Sequence, residues 1–149
     1  MPNRMARIPV RDTTCELALR AALGRIGATP HRIDVGGLPG RPDVVLRKEK
    51  TALFAHGCFW HHHEDCSCAR LPNTQYPWAE KFSRTRARDV AVRAKLIDAG
   101  WRVMWVWECG LIGSNALPME ALDEKISVFL KGDAAFLEIR GNGSAKPVR

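Results

Sequence analysis

The sequence predicts an α/β fold, a mixed β-sheet with helices packed on its faces. Three observations carry this expectation. Segments with helical apolar spacing alternate with short apolar runs, in the order helix, strands, helix, strand, helix. Hydrophobic residues make up 46% of the 149 residues, which suits a packed core and not a disordered chain. No internal repeat or linker divides the chain, so one domain is expected, with its core over about residues 12–131 and a loose tail over 132–149.

The first helix is placed at about Thr14 to Ile26, where Cys15, Leu19, Ala22, Leu23 and Ile26 share one face and Gly27 ends it. The turn-rich run Val35-Gly36-Gly37-Leu38-Pro39-Gly40-Arg41-Pro42 follows. Val44 to Leu46 and Thr51 to Ala55 are apolar runs of strand length, joined by charged residues 47–50 as a hairpin. Residues 56–73 lack periodicity and are rich in histidine and cysteine. A long basic helix over Pro77 to Ala99 ends at Gly100. Trp101 to Trp107 reads as a buried strand, in which Trp101, Trp105 and Trp107 are packing residues. A last helix covers about Pro118 to Leu130, with Met119, Leu122, Ile126, Phe129 and Leu130 on one face. Beyond Gly132 the pattern is weak, and Gly141 to Ser144 should be loose.

The net charge of +7 points toward a polyanionic partner. No apolar run approaches the ~20 residues of a membrane span, and Met1 to Val10 lack the apolar stretch of a secretion signal. A soluble intracellular protein is expected. Its five cysteines, Cys15, Cys58, Cys66, Cys68 and Cys109, are an odd number without a secretion signal, which argues against a disulfide framework.

Cys58, His63, Cys66 and Cys68 fall within one short loop. Thiolate and imidazole are the ligands of closed tetrahedral zinc sites. Cys58, His63 and Cys66 supply three ligands, and Cys109, after the Trp101–Trp107 strand, is the natural fourth. Cys68 is an alternative to Cys66 or a spare thiol. The competing reading is a set of buried free cysteines beside a surface histidine cluster.

Pro42-Asp43 opens one strand of the expected hairpin, and the next strand ends at Ala55-His56. Such a pairing can set a carboxylate beside the end of the partner strand, where it can hold Mg²⁺ with help from backbone carbonyls. His56 and His61 lie just beyond, in reach of a phosphate or a water. That set fits phosphodiester hydrolysis, although Pro-Asp is also common in turns. Glu16 and Asp89 fall in helices, where surface solvation is the default, but Asp89 has basic surroundings.

Between residues 81 and 95 stand six basic residues (Lys81, Arg84, Arg86, Arg88, Arg93, Lys95) against one acid, Asp89. This is either a phosphate-contacting stripe or a solvated helix face. Phe59 and Trp60, two large aromatics in a polar loop, are suited to wedging between base pairs, with Trp78 able to join them. Alternatively they pack over the zinc loop.

Taken together, the sequence resembles the very short patch repair (Vsr) DNA mismatch endonucleases. The resemblance is carried by Leu38-Pro39-Gly40-Arg41-Pro42-Asp43, His56-Gly57-Cys58-Phe59-Trp60-His61-His62-His63 and Trp78-x-Glu80-Lys81. It continues through Arg88-Asp89, Gly100-Trp101-Arg102-Val103 and Val106-Trp107-Glu108-Cys109. It implies a restriction-endonuclease-like fold and a nick 5′ to the thymine of a T·G mismatch left by deamination of 5-methylcytosine. It also implies that Asp43 and the main-chain carbonyl of Ala55 hold Mg²⁺. His61 would then be the general base, paired with Asp89, while His56, supported by Glu16, orients the phosphate or a metal-bound water. Cys58, His63, Cys66 and Cys109 would hold structural Zn²⁺. Phe59, Trp60 and Trp78 would form the wedge, with Lys81, Arg84 and Arg88 on DNA. The implied partners are double-stranded DNA with a T·G mismatch and the mismatch-repair protein MutL. A monomer in the bacterial cytoplasm, associated with the nucleoid, is expected.

Two departures bear on this. Relatives often carry Thr at the position of Ala55, but a carbonyl ligand survives that change. The segment before Asp12 has no clear match to the arm that grips DNA in relatives. Two other readings remain: a related nicking nuclease acting on unmismatched DNA, and a catalytically silent zinc-containing DNA-binding module.

Overall fold

The computed structural model describes residues 14–28, 32–33, 37–61, 63, 66 and 76–142. His62, Cys68, the N-terminal arm and the residues after 142 lie outside them. The described chain forms one five-stranded sheet, in the order β1 (Arg32–Ile33), β2 (Val44–Leu46), β3 (Thr51–His56), β4 (Arg102–Trp107) and β5 (Phe136–Ile139). The first three strands pair antiparallel and the last three pair parallel. Four helices complete it: α1 (Thr14–Arg25), α2 (Trp78–Asp98), α3 (Glu108–Leu111) and α4 (Met119–Lys131). This is the mixed sheet flanked by helices that the sequence predicts. No described helix is long and apolar enough to cross a membrane.

Strand alternation sorts the core into two faces. Leu53, Met104, Val106 and Ile139 pack with Leu19 and Leu23 of α1 and with Leu122, Ile126 and Phe129 of α4. The intervening residues Ala52, Phe54, Val103 and Trp105 pack against Leu96 of α2. α1 and α4 therefore cover one face and α2 the other. Each of the larger buried side chains contributes roughly 1.5–3 kcal/mol by leaving water. A two-pronged ion pair from Arg25 to Asp123, at 2.8 and 2.9 Å, joins α1 to α4 at the surface.

The hairpin forms where the sequence placed it, with Val44 opposite Leu53 and Leu46 opposite Thr51. One step beyond that register Asp43 falls opposite Phe54, next to Ala55. The preceding turn is pressed onto α2: Gly40 has φ +72°, and a Cβ there would lie 2.4 Å from Val92 Cγ1. Only glycine meets both demands, the positive φ and the close approach.

The tail expected to be loose from residue 132 is ordered through Asn142. Phe136–Ile139 adds a parallel strand beside β4. The connection is fixed by Arg102, whose Nε donates to Ala134 O at 2.8 Å. Its other nitrogens reach Leu130 O and Phe129 O at the end of α4. A guanidinium thus adds donors at the end of α4, where carbonyls run out of intrahelical partners. Two further elements, β1 and α3, are too short to announce themselves by periodicity.

Candidate active site and metal centre

The candidate site residues gather where β3 and β4 end side by side. β3 ends at His56, level with Trp107 of β4, and the loop that follows turns back at once: His61 N–H donates to Gly57 O and His63 N–H to Cys58 O. The turn directs His61 and His63 to opposite uses.

On one side lies a cleft of about 630 Å³ lined by Glu16, Asp43, Ala55, His56, His61 and Arg88, among others. Asp43 Oδ2 accepts the Ala55 N–H at 2.7 Å. Burial pushes the Asp43 carboxyl up to about 7; the Ala55 N–H opposes this and neighbouring Glu16 reinforces it. A buried carboxyl beside a second one favours a bound cation, whose charge offsets the cost of ionising Asp43. The donor set therefore fits a hard divalent metal.

His56 is 3% exposed, and its Nδ1 has no hydrogen-bond partner among the described residues. Burial, and then the neighbouring His61 and His63, hold it well below the usual histidine range, so its ring is neutral at pH 7. It stacks on His61 with centroids 4.0 Å apart and planes 6° apart. His61 Nδ1 lies 2.6 Å from Asp89 Oδ2. A carboxylate only accepts, so the ring donates from Nδ1, and the neutral tautomer that does so carries its lone pair on Nε2. That is the arrangement of an imidazole base oriented by an acid.

On the other side Cys58, His63, Cys66 and Cys109 converge, all buried, with their ligand atoms within 4.8 Å of one another. His63 Nδ1 lies 3.5 Å from both Cys58 Sγ and Cys109 Sγ. The S···N edge of a tetrahedral zinc site, with Zn–S of ~2.3 Å and Zn–N of ~2.0–2.1 Å, is about 3.6 Å. The geometry thus fits a four-coordinate soft metal. Cys109, through its side chain, and burial push the Cys58 thiol far up, the expected state of crowded thiols without a cation. Backbone donors already face the sulfurs: Cys109 N–H to Cys58 Sγ at 3.4 Å, and Gly141 N–H to Cys109 Sγ at 3.3 Å. Cys66 joins the cluster, whereas Cys15 lies in α1, its thiol pushed up to about 12 by burial and by Glu108.

The aromatic residues gather at the start of α2. Phe59 packs edge-on against Trp60, Trp78 and the buried Phe82, at 5.0, 5.1 and 5.3 Å. Trp60 and Trp78 remain half-buried. Lys81 Nζ stands over Trp60, Tyr76 and Trp78 at 5.3, 5.8 and 5.7 Å. The basic stripe divides: Arg88 lines the Asp43 cleft, Arg86 and Arg93 line a second one, and Arg84 is exposed on α2.

Four contributors escaped sequence reasoning, and Trp107, expected only to pack, does more. Glu108 accepts the Cys58 N–H at 3.2 Å, and Glu138 accepts the Trp107 Nε1–H at 2.6 Å. Trp107 stacks on His63 at 4.0 Å and meets His56 at 5.1 Å, so it links the two sites. Gly141 is the third and Tyr76 the fourth. Glu108, within Trp-Glu-Cys, was visible as a motif residue without an assigned task. Glu138 and Gly141 belong to the stretch that gave no periodic signal.

A profile of the family described as DNA mismatch endonuclease Vsr matches residues 2–68. The chain is 39% identical over 142 residues to the DNA mismatch endonuclease Vsr of Escherichia coli K12, covering 95% of this chain and 90% of that one. It is 40% identical over 114 residues to the type II nicking enzyme V.XorIIP of Xanthomonas oryzae pv. oryzae, covering 76% and 82%. With V.NmeAIP of Neisseria meningitidis, also a type II nicking enzyme, identity is 37% over 109 residues, covering 72% and 76%. At that identity and coverage, the chain belongs to the Vsr family of DNA mismatch endonucleases.

Proposed function

We propose that this protein nicks one strand of duplex DNA 5′ to the thymine of a T·G mismatch, such as deamination of 5-methylcytosine leaves. The observation that carries the reading is the single cleft holding Asp43 against Ala55, with stacked His56 and His61 and the His61–Asp89 pair. Asp43 and the main-chain carbonyl of Ala55 hold Mg²⁺, and Glu16 adds negative charge beside Asp43. When bound, the metal supplies charge stabilisation for the phosphate. His61 Nε2 takes a proton from the attacking water, and Asp89 stabilises the imidazolium that results. His56, kept neutral, positions the phosphate without adding a competing positive charge. Cys58, His63, Cys66 and Cys109 hold Zn²⁺, which ties the His61 loop to the end of β4. Phe59, Trp60 and Trp78 form the wedge at the mismatch, and Lys81, Arg84 and Arg88 meet phosphates. The protein acts as a monomer, since a nick needs one active site. MutL is a partner, and the site of action is the nucleoid.

The related nicking enzymes give weight to a second reading, nicking of an unmismatched recognition site. A silent DNA-binding module is disfavoured by the placement of Asp43, His56, His61 and Asp89 around one cleft. Asp43→Asn should slow nicking by roughly 10²–10³-fold, the equivalent of several kcal/mol of lost charge stabilisation. It should leave duplex binding in calcium buffer within about twofold. Nicking at the wild-type rate by this variant would remove Asp43 from the mechanism.

A further inference from the structure

A second cleft, of about 290 Å³, lies on the far side of the His61–Asp89 pair, between α2 and the ends of β4 and β5. Arg86, Arg93 and Arg140 line it, together with His61, His63 and Asp89; Trp105 and Trp107 are also in its wall. Three guanidinium groups face two carboxylates, because Glu138 is there as well. Both carboxylates are already engaged, Asp89 by His61 and Glu138 by Trp107, each at 2.6 Å.

Arg93 is the informative member. Its guanidinium lies over Trp105 at 4.7 Å and over Phe136 at 4.5 Å. Ring faces hold this charge, and no carboxylate pairs with it among the described residues. A half-buried guanidinium held in place by aromatic faces keeps its N–H edges for an acceptor. Its planar fork matches two oxygens of a phosphate. Because the Asp43 cleft and this one share His61 and Asp89 as a common wall, a strand lying in the first can place a neighbouring phosphate in the second.

We propose that this cleft is a second phosphate subsite, which takes a backbone phosphate flanking the scissile one on the nicked strand. Arg93 and Arg140 grip it and Arg86 guards the mouth. The proposal rests on the nicking reading above and deepens it. Its consequence is positional: anchoring the next phosphate fixes which linkage stands before His61. Arg140 owes its position to β5, so the last strand supplies part of the substrate site.

The test uses T·G duplexes carrying one neutral methylphosphonate at each position around the nick. Binding is measured in calcium buffer and nicking in magnesium buffer. For wild type, a neutral linkage at one flanking position should weaken binding about tenfold or more. For Arg93→Gln and for Arg140→Gln the same linkage should cost clearly less than in wild type, and in the double variant less than twofold, since the charge it removes then has no partner. Should Arg93→Gln fail to fold, Arg140→Gln alone carries the comparison. Effects of linkage and variant that multiply independently, or no flanking position of importance, would overturn the subsite. Wild type that binds with the predicted linkage dependence yet never nicks in magnesium would instead refute the nicking reading and leave the subsite standing.

Discussion

Asp43 is where sequence and electrostatics meet most directly. Its carboxyl is held at about 7, against an ordinary value of 3.8, chiefly by burial. The unfolded chain releases this proton near pH 4 and the folded one near pH 7. Between those values the native state binds more protons, so metal-free stability falls as pH rises. Asp43→Asn removes the effect. The difference between wild type and variant should change by about 1 kcal/mol per pH unit from pH 5.5 to 7 and flatten above. Urea denaturation across that range checks it, and parallel curves would show that Asp43 ionises freely. Trp60 carries a second expectation at this scale. Phosphate contacts add equally to matched and mismatched binding, whereas a wedge must unstack a base step, at a few kcal/mol. A wobble pair lowers that cost. Trp60→Ala should therefore compress the T·G to matched affinity ratio roughly tenfold, in line with ~1–3 kcal/mol per stacked ring, while general affinity falls less. An unchanged ratio would make Trp60 a packing residue.

Among the elements, those with long apolar periods were legible. α1, α2 and α4 and the β2–β3 hairpin stand within a residue or two of where spacing placed them, because one buried face per element leaves a periodic record. The hairpin also made the Asp43–Ala55 pairing legible. β5 was not, since four residues with one fully buried side chain leave no pattern. With it went Glu138, Arg140 and Gly141, whose positions depend on a pairing between residues more than thirty apart. The choice between Cys66 and Cys68 was equally beyond spacing, and the fold brings Cys66 to the cluster. Phe59 was set apart from the core by its polar neighbours, yet it packs on buried Phe82. β5 bears directly on the metal centre through Gly141, where a Cβ would lie 2.2 Å from Cys109 O and 2.6 Å from Asn115 O. Gly141→Ala must shift the backbone that donates to Cys109 Sγ. It should weaken zinc retention against a chelator by ~10–100-fold, the usual scale for losing a supporting contact. Unaltered retention would show that β5 does not brace the centre.

At the scale of the whole molecule, two sites share one edge of the sheet, joined by Trp107, with the basic face of α2 alongside. The hairpin presents Asp43, the loop after β3 presents His61, and Cys58 and His63 of that loop meet Cys109 beyond the end of β4. The aromatic group at the start of α2 is half-exposed beside these parts, which is the arrangement a mismatch-reading nickase needs. The proposed function requires that cleavage depend on the mismatch. The direct measurement is single-turnover nicking, in magnesium buffer, of two end-labelled duplexes identical except for a T·G or a matched pair at one position. A single nick 5′ to the mismatched thymine, at least about 100-fold faster than any cleavage of the matched duplex, is the predicted result; equal rates on the two duplexes would contradict it.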